Sequence, residues 1–200
     1  MKYNKLYIPQ GSQEWLDWRK QGIGASEIAT IAELNPYGSR QAVLEEKLGR
    51  FQNKVETPAM KHGKHAEEGV RKLIESHPSW VDADFPLFVL ETPLIEHGTH
   101  SYMRASLDGY VEDQKILVEI KCPSSPRVIN SCYKGNIPAY WIAQVQWQLH
   151  ILGWESGYLF VFPKGAREPI REHVLYNEEQ ANYLVNEAKK FWKEVEDAKS

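Results

Sequence analysis

Residues 117–121 read Leu117-Val118-Glu119-Ile120-Lys121, one acid and one base set in an apolar run. Apolar flanks mark a central strand that is buried on both faces. Side chains alternate along a strand, so Glu119 and Lys121 share a face and Ile120 takes the other. An acid and a base inside a core cost free energy unless something compensates them. Just upstream, Ser106-Leu107-Asp108-Gly109 supplies a second carboxylate, and residues 102–112 and 115–121 read as a hairpin turning at Asp113-Gln114. Carboxylates converging from paired strands suit a hard divalent cation such as Mg²⁺. A nearby ammonium then orients water or offsets charge in the transition state, while the cation brings the pKa of its bound water towards neutrality. Asp108, Glu119 and Lys121 therefore supply what metal-assisted phosphodiester hydrolysis needs. A surface hairpin with a Glu–Lys pair has the same letters, and this stretch alone does not separate the two readings.

Outward from the hairpin, residues 13–33 read as two short helices broken at Gln21-Gly22-Ile23-Gly24, the second capped by Ser26. Asn35-Pro36-Tyr37-Gly38 is a turn, and residues 40–47 are helical again. Thr57-Pro58 is an N-cap and first-turn proline for a helix running to about Ser76. Residues 85–92 read as a strand. Beyond the hairpin, Pro138 opens a helix that stops near Gly153, with Ile142, Val145, Leu149 and Leu152 on one face. Residues 157–163 and 171–176 read as strands. Asn177-Glu178-Glu179-Gln180 resembles a capping box, opening a helix with the apolar stripe Leu184, Ala188, Phe191 and Val195. This order fits an α/β chain with a central mixed β-sheet flanked by helices. At 200 residues without repeats or linkers, a single domain over 1–200 is expected.

Composition is that of a globular protein, 42% hydrophobic and 26% charged. No apolar run reaches the length of a bilayer span, and residues 1–15 lack the apolar segment of a secretory signal, so a cytoplasmic setting without membrane is expected. Cys122 and Cys132 have neither zinc-like spacing nor a pairing pattern and read as reduced thiols. The cysteine count also argues against an iron–sulfur nuclease, which needs about four thiolates. The net charge of −3 does not advertise nucleic-acid binding. Metal-holding carboxylates lower net charge, however, and phosphate contacts need only a local cluster of Arg and Lys.

Other candidates lie along the chain. Within His62-Gly63-Lys64-His65-Ala66-Glu67-Glu68, Gly63 and Glu67 are one turn apart, which brings Glu67 close to the sheet. His62 and His65 read as surface residues. Arg19, Ser26, Arg40, Ser106, Arg127 and Gln144 are candidates for phosphate contacts; Arg19 and Ser26 flank a glycine-containing turn into a helix. Trp15, Trp18, Trp141 and Trp147 read as core. Which aromatic stacks on a base is left open.

Taken together, Trp15-x-x-x-Arg19, Gly24-Ala25-Ser26-Glu27, Gly63-x-x-x-Glu67, Ser106-x-Asp108-Gly109, Glu119-x-Lys121-Cys122-Pro123 and Ala143-Gln144-Val145-Gln146 form an ordered set across about residues 15–150. The chain resembles the phage lambda exonuclease family of viral recombination nucleases, within the PD-(D/E)xK superfamily. The resemblance implies a restriction-endonuclease-like core, with Mg²⁺, or Mn²⁺ as a substitute, held by Asp108, Glu119, the Ile120 carbonyl and Glu67. It implies Lys121 as the catalytic lysine, Gln144 as an active-site glutamine, and Arg19, Ser26, Ser106 and Arg127 as holders of a DNA 5′-phosphate. Leu107 stands where many members have proline, and the family's further phosphate-binding arginine falls near Tyr37, with Arg40 three residues on. The activity so implied is 5′→3′ degradation of one strand of duplex DNA from its end, by a ring-shaped homotrimer paired with a single-strand annealing recombinase. An endonuclease or repair nuclease on the same core, and an end-binding protein without catalysis, are the competing readings.

Overall fold

The apolar run Ile116–Lys121 is an interior strand, paired antiparallel on one side and parallel on the other. The computed structural model describes residues 3–50, 58–82 and 89–200, with the backbone alone for 58–65. In chain order, β1 (Tyr3–Leu6), α1 (Gln13–Lys20), β2 (Ile23–Gly24), α2 (Ala25–Ile31), α3 (Arg40–Lys47) and α4 (Pro58–Glu75) lead to a 3₁₀ turn at Pro78–Val81. Then come β3 (Leu94–His97), β4 (Met103–Ser106), β5 (Gly109–Val111) and β6 (Ile116–Lys121). The chain ends with α5 (Pro126–Tyr133), α6 (Ala139–Leu152), β7 (Ser156–Val161), β8 (Ile170–Leu175) and α7 (Glu178–Asp197).

The α/β class with mixed pairing and flanking helices is observed, but the described strands form two sheets, ordered β1-β3-β4-β2 and β5-β6-β7-β8. The split falls inside the stretch 102–112, expected as one strand. The β5–β6 ladder ends at Gly109 opposite Val118. Where the next backbone pair would form, the Asp108 carboxylate accepts the Ile120 N–H at 2.9 Å. A side chain has taken the place of a backbone acceptor, so the strand releases its partner and β4 joins β3 in the other sheet.

Helix α6 packs against strands of both sheets. That position explains why it is buried almost all round from Ala143 to Leu152, where a single apolar face was expected. Its polar residues are compensated locally. Trp147 Nε1 donates to the Arg104 carbonyl at 3.1 Å, and Gln146 bridges the Leu175 carbonyl and the Asn177 N–H at 2.7 and 2.9 Å. Gly153, in the left-handed region at φ 68°, closes the helix. On the other face of the second sheet, Val70 and Ile74 of α4 pack on Val118, Ile120 and Phe160. Residue β6 positions 117 and 119 therefore face α6, and 118 and 120 face α4.

Three further points differ from the sequence reading. Helix α2 is capped at Gly24, not Ser26: the Glu27 carboxylate reaches back to the Gly24 N–H at 2.8 Å, and Ser26 lies within the first turn. Strands β1 and β3, four residues each, and helix α5 are elements the sequence reading did not include. Of the stretch 85–92 the structure describes 89–92, where Glu91 makes a bridge to Tyr110; residues 85–88, the Thr57 cap and the side chains of His62 and His65 lie outside the described residues. The Asn177 cap is as expected, its side chain accepting from the Gln180 N–H at 2.9 Å. No helix among the described residues is long and apolar enough to cross a membrane.

Candidate active site

Glu119 is 1% exposed, yet both its oxygens are engaged. Oε1 accepts from Lys121 Nζ at 2.5 Å and from Gln144 Nε2 at 2.7 Å, while Oε2 accepts from Gln148 Nε2 at 2.7 Å. Lys121 also donates to Gln144 Oε1 at 2.8 Å, which fixes the orientation of that amide. Alternation along β6 puts Glu119 and Lys121 on one face, and the four-residue spacing of Gln144 and Gln148 puts both amides on the face of α6 that meets it. Burial disfavours the Lys121 ammonium, but Glu119, Asp108 and Glu67 together outweigh it and hold the group above its ordinary pKa.

Asp108 sits at the edge where β5 ends, so an acid from α4 can meet it there. Burial pushes Asp108 well above the usual carboxylate range, reinforced by Glu119 and Glu67 and opposed by Lys121 and the Ile120 N–H. Glu67 is raised too, by burial first and then by Glu119, against the pull of Arg71. Arg71 stitches these parts together, with Nη2 on Glu67 Oε1 at 3.0 Å and Nε on the Asp108 carbonyl at 2.6 Å. Burial and the same two acids lift the neighbouring Cys122 thiol to about 11, which leaves it a poor nucleophile.

As the side chains stand, no group of three or more His, Cys, Asp or Glu among the described residues is spaced to hold a metal ion. The donor chemistry nevertheless fits a hard divalent cation. Asp108, Glu119, Glu67 and the Ile120 carbonyl offer oxygen alone. Three carboxylates share the centre with two cations, Lys121 and Arg71, and that surplus of negative charge adds to burial, the larger cause, in raising the pKa values of Asp108 and Glu67.

The residues expected to hold phosphate are placed unevenly. Arg19 stacks over Trp15, 4.8 Å from the ring centroid, and gives one Nη to Glu27 at 3.0 Å. Lys47 Nζ grips both Glu27 oxygens at 2.9 and 2.8 Å and the Arg19 carbonyl at 2.8 Å. Burial alone would raise the Glu27 pKa, but Lys47 and Arg19 pull it down to about 2. Lys47 itself is held below its ordinary value by burial, so the cation's desolvation cancels part of the pair's attraction. Ser26, exposed, adjoins Glu27, and half-buried Ser106 is two residues from Asp108. Arg127 lies exposed in the first turn of α5. Arg40 is not brought to this group: both its Nη atoms bind Glu194 at 2.7 Å, tying α3 to α7 over the Phe191 ring.

Sequence reasoning missed Gln148, Arg71 and Lys47. Gln148 lies one turn after Gln144, and Arg71 one turn after Glu67, so helical spacing was the available signal. Lys47 had none, because its partner is 20 residues away across a helix packing.

An acid at a strand break, a Glu-x-Lys strand, and a Glu and a Gln from flanking helices define a PD-(D/E)xK-type fold. The chain belongs to the YqaJ-like viral recombinase domain family, whose model matches residues 14–158. The match bears out the resemblance to the lambda exonuclease family. A similar curated protein is the uncharacterized protein R354 of Acanthamoeba polyphaga mimivirus, 31% identical over 154 residues. That match covers 71% of this chain and spans only 27% of the viral protein. Among solved structures, the alkaline exonuclease LHK-Exo of Laribacter hongkongensis superposes with a TM-score of 0.76 at 23% identity, over 94% of each chain. A phage-related exonuclease of Haemophilus somnus 129PT gives a TM-score of 0.65 at 11% identity, over 90% of this chain and 96% of that one. At such identities these likenesses speak for the fold.

Proposed function

We propose that the chain is a Mg²⁺-dependent 5′→3′ double-strand DNA exonuclease acting from 5′-phosphorylated ends, releasing mononucleotides and leaving 3′ single strands for annealing recombination. The observation that carries this is the bonded set Glu119–Lys121–Gln144, with Asp108, Glu67 and Arg71 at its edge. The family and the fold shared with two exonucleases support it. A divalent cation bound at these acids supplies Lewis acidity and a more acidic water. Asp108, Glu119, Glu67 and the Ile120 carbonyl would hold it.

Lys121, kept protonated by its acidic neighbours, presents its ammonium beside Glu119, where it can meet a phosphoryl oxygen as charge develops. Gln144 fixes the ammonium and the carboxylate relative to each other. Arg71 holds Glu67 against the Asp108 backbone. Arg19, with donors beyond the one on Glu27, is proposed with Ser26, Ser106 and Arg127 to grip the terminal 5′-phosphate. A homotrimeric ring, an annealing recombinase partner and a cytoplasmic setting belong to the same proposal and rest on the resemblance. Light scattering at three times the chain's mass would support the ring.

Digestion of linear duplexes with 5′-phosphate or 5′-hydroxyl ends, with and without Mg²⁺, tests the proposal. Mononucleotide release that requires Mg²⁺ and favours the phosphate is expected, and Glu119→Ala should abolish it while keeping the fold. Efficient cutting of a covalently closed circle, or full activity of Glu119→Ala, would overturn it.

A further inference from the structure

Tyr37 is 74% exposed, yet the turn that carries it is fixed. Asn35 Oδ1 accepts the Tyr37 N–H at 3.0 Å, and Asn35 Nδ2 donates to Thr30 Oγ1 at 3.0 Å. Gly38 lies so close to α2 that a Cβ there would fall 2.8 Å from Thr30 Cγ2. Two residues further, Arg40 is clamped by Glu194. The ring is therefore presented on a pinned segment, and ordering it on binding costs little conformational entropy.

Among the described residues, Tyr37 makes its ring contact with Tyr140, at 5.9 Å between centroids and 88° between planes. An edge-to-face contact in a residue this exposed leaves ring surface free for a further stack. Tyr140 precedes Gln144 by four residues, about one helical turn or ~5.4 Å, and so shares its face of α6. Gln144 holds Lys121 and Glu119. The aromatic pair thus borders the catalytic centre.

We propose that Tyr37, backed by Tyr140, is a stacking platform for an unpaired nucleobase of the DNA substrate beside the scissile phosphodiester. The inference rests on the nuclease reading above. A planar base matches an exposed ring of fixed orientation, and stacking tolerates any sequence because every base has a π-face. Neither ring offers the cationic donors that a phosphate would seek, so the base is the matching part of a nucleotide.

The test is end binding in EDTA, so that no cleavage intervenes. The probes are short linear duplexes with unpaired ends, each with 2-aminopurine at one of the terminal positions of one strand. With the unaltered protein, fluorescence at one position should be quenched, and an abasic site there should weaken binding about tenfold. Tyr37→Phe should behave likewise. Tyr37→Ala should restore the fluorescence, bind about tenfold more weakly and show no further loss with the abasic probe. Unchanged quenching in Tyr37→Ala, or losses from the substitution and the abasic site that simply multiply, would overturn the platform and leave the nuclease reading standing. A protein that binds no DNA end would overturn both.

Discussion

Replacing Lys47 by Met tests whether the buried pair behind Arg19 is what holds that corner of the site. Lys47 is 1% exposed at its side chain and Glu27 4%. Removing the cation leaves a buried carboxylate with only Arg19 and the Gly24 N–H. Breaking a buried pair in this way costs about 3–5 kcal/mol. At about 2–4 °C per kcal/mol for a chain of this length, the melting temperature should fall by roughly 6–20 °C at neutral pH. The cost should also depend on pH. The Glu27 pKa, about 2 in the fold against 4.5 ordinarily, is depressed, so its contribution is complete above about 4.5 and is lost as pH falls towards 2. That interval corresponds to a few kcal/mol, of order 3, from which the desolvation of Lys47 subtracts. Without Lys47 the Glu27 pKa rises back towards its ordinary value, so acid no longer destabilises the variant through this group. The gap between the two proteins should therefore be widest above pH 5 and shrink as pH falls to 3. Urea unfolding across that range measures it. A loss below about 1 kcal/mol at pH 7, or a gap that does not change with pH, would refute the reasoning.

Substitutions at three other positions probe further contacts. Gln148→Leu removes the donor to Glu119 Oε2 together with a buried Oε1 that has no partner among the described residues, so its two stability effects oppose one another. It should lower kcat about 10–100-fold with little change in melting temperature; an unchanged kcat would show that Gln144 and Lys121 suffice. Arg71→Ala should lower activity by a similar factor, and Arg71→Lys should fail to restore it, because an ammonium cannot reproduce the fork between Glu67 and the Asp108 carbonyl. Full rescue by lysine would make charge, not geometry, the contribution of Arg71. Arg40→Ala should cost about 1 kcal/mol through its lost bond to Glu194 and leave the preference for 5′-phosphate intact. Loss of that preference in competition digests would return Arg40 to the phosphate pocket.

The parts of the molecule legible in the sequence are those whose partners lie nearby or whose environment is uniform. Strand β6 showed its burial in its own letters, and alternation placed Glu119 with Lys121 before any contact was known. The Asn177 cap is a three-residue event and was equally plain. Strands β1 and β3, by contrast, are four residues each and gain their burial only by pairing, Tyr3 with His97 and onward, so neither carries a pattern of its own. Helix α6 misled in the opposite direction. Its periodicity suggested one buried face, whereas contact with both sheets buries nearly every position from Ala143 on. Arg40 read as a phosphate ligand because nothing local announces Glu194, 154 residues away.

The break between Leu107 and Gly109 shows why fold and site are not separable here. A continuous strand through 102–112 would satisfy the Ile120 N–H with a backbone carbonyl and leave the Asp108 carboxylate without that donor. Instead the carboxylate itself takes the N–H where the β5 ladder ends and β4 joins the other sheet, while the Asp108 carbonyl accepts from Arg71. Arg71 in turn draws Glu67 to the same edge. One side-chain-to-backbone bond therefore terminates a strand, divides the sheets and gathers acids from β6, α4 and the break itself. A proline before Asp108 would constrain the backbone by itself. Leu107 imposes no such constraint and is 3% exposed, so in this chain the break must be held by the Asp108–Ile120 and Arg71–Asp108 bonds together with the packing of Leu107.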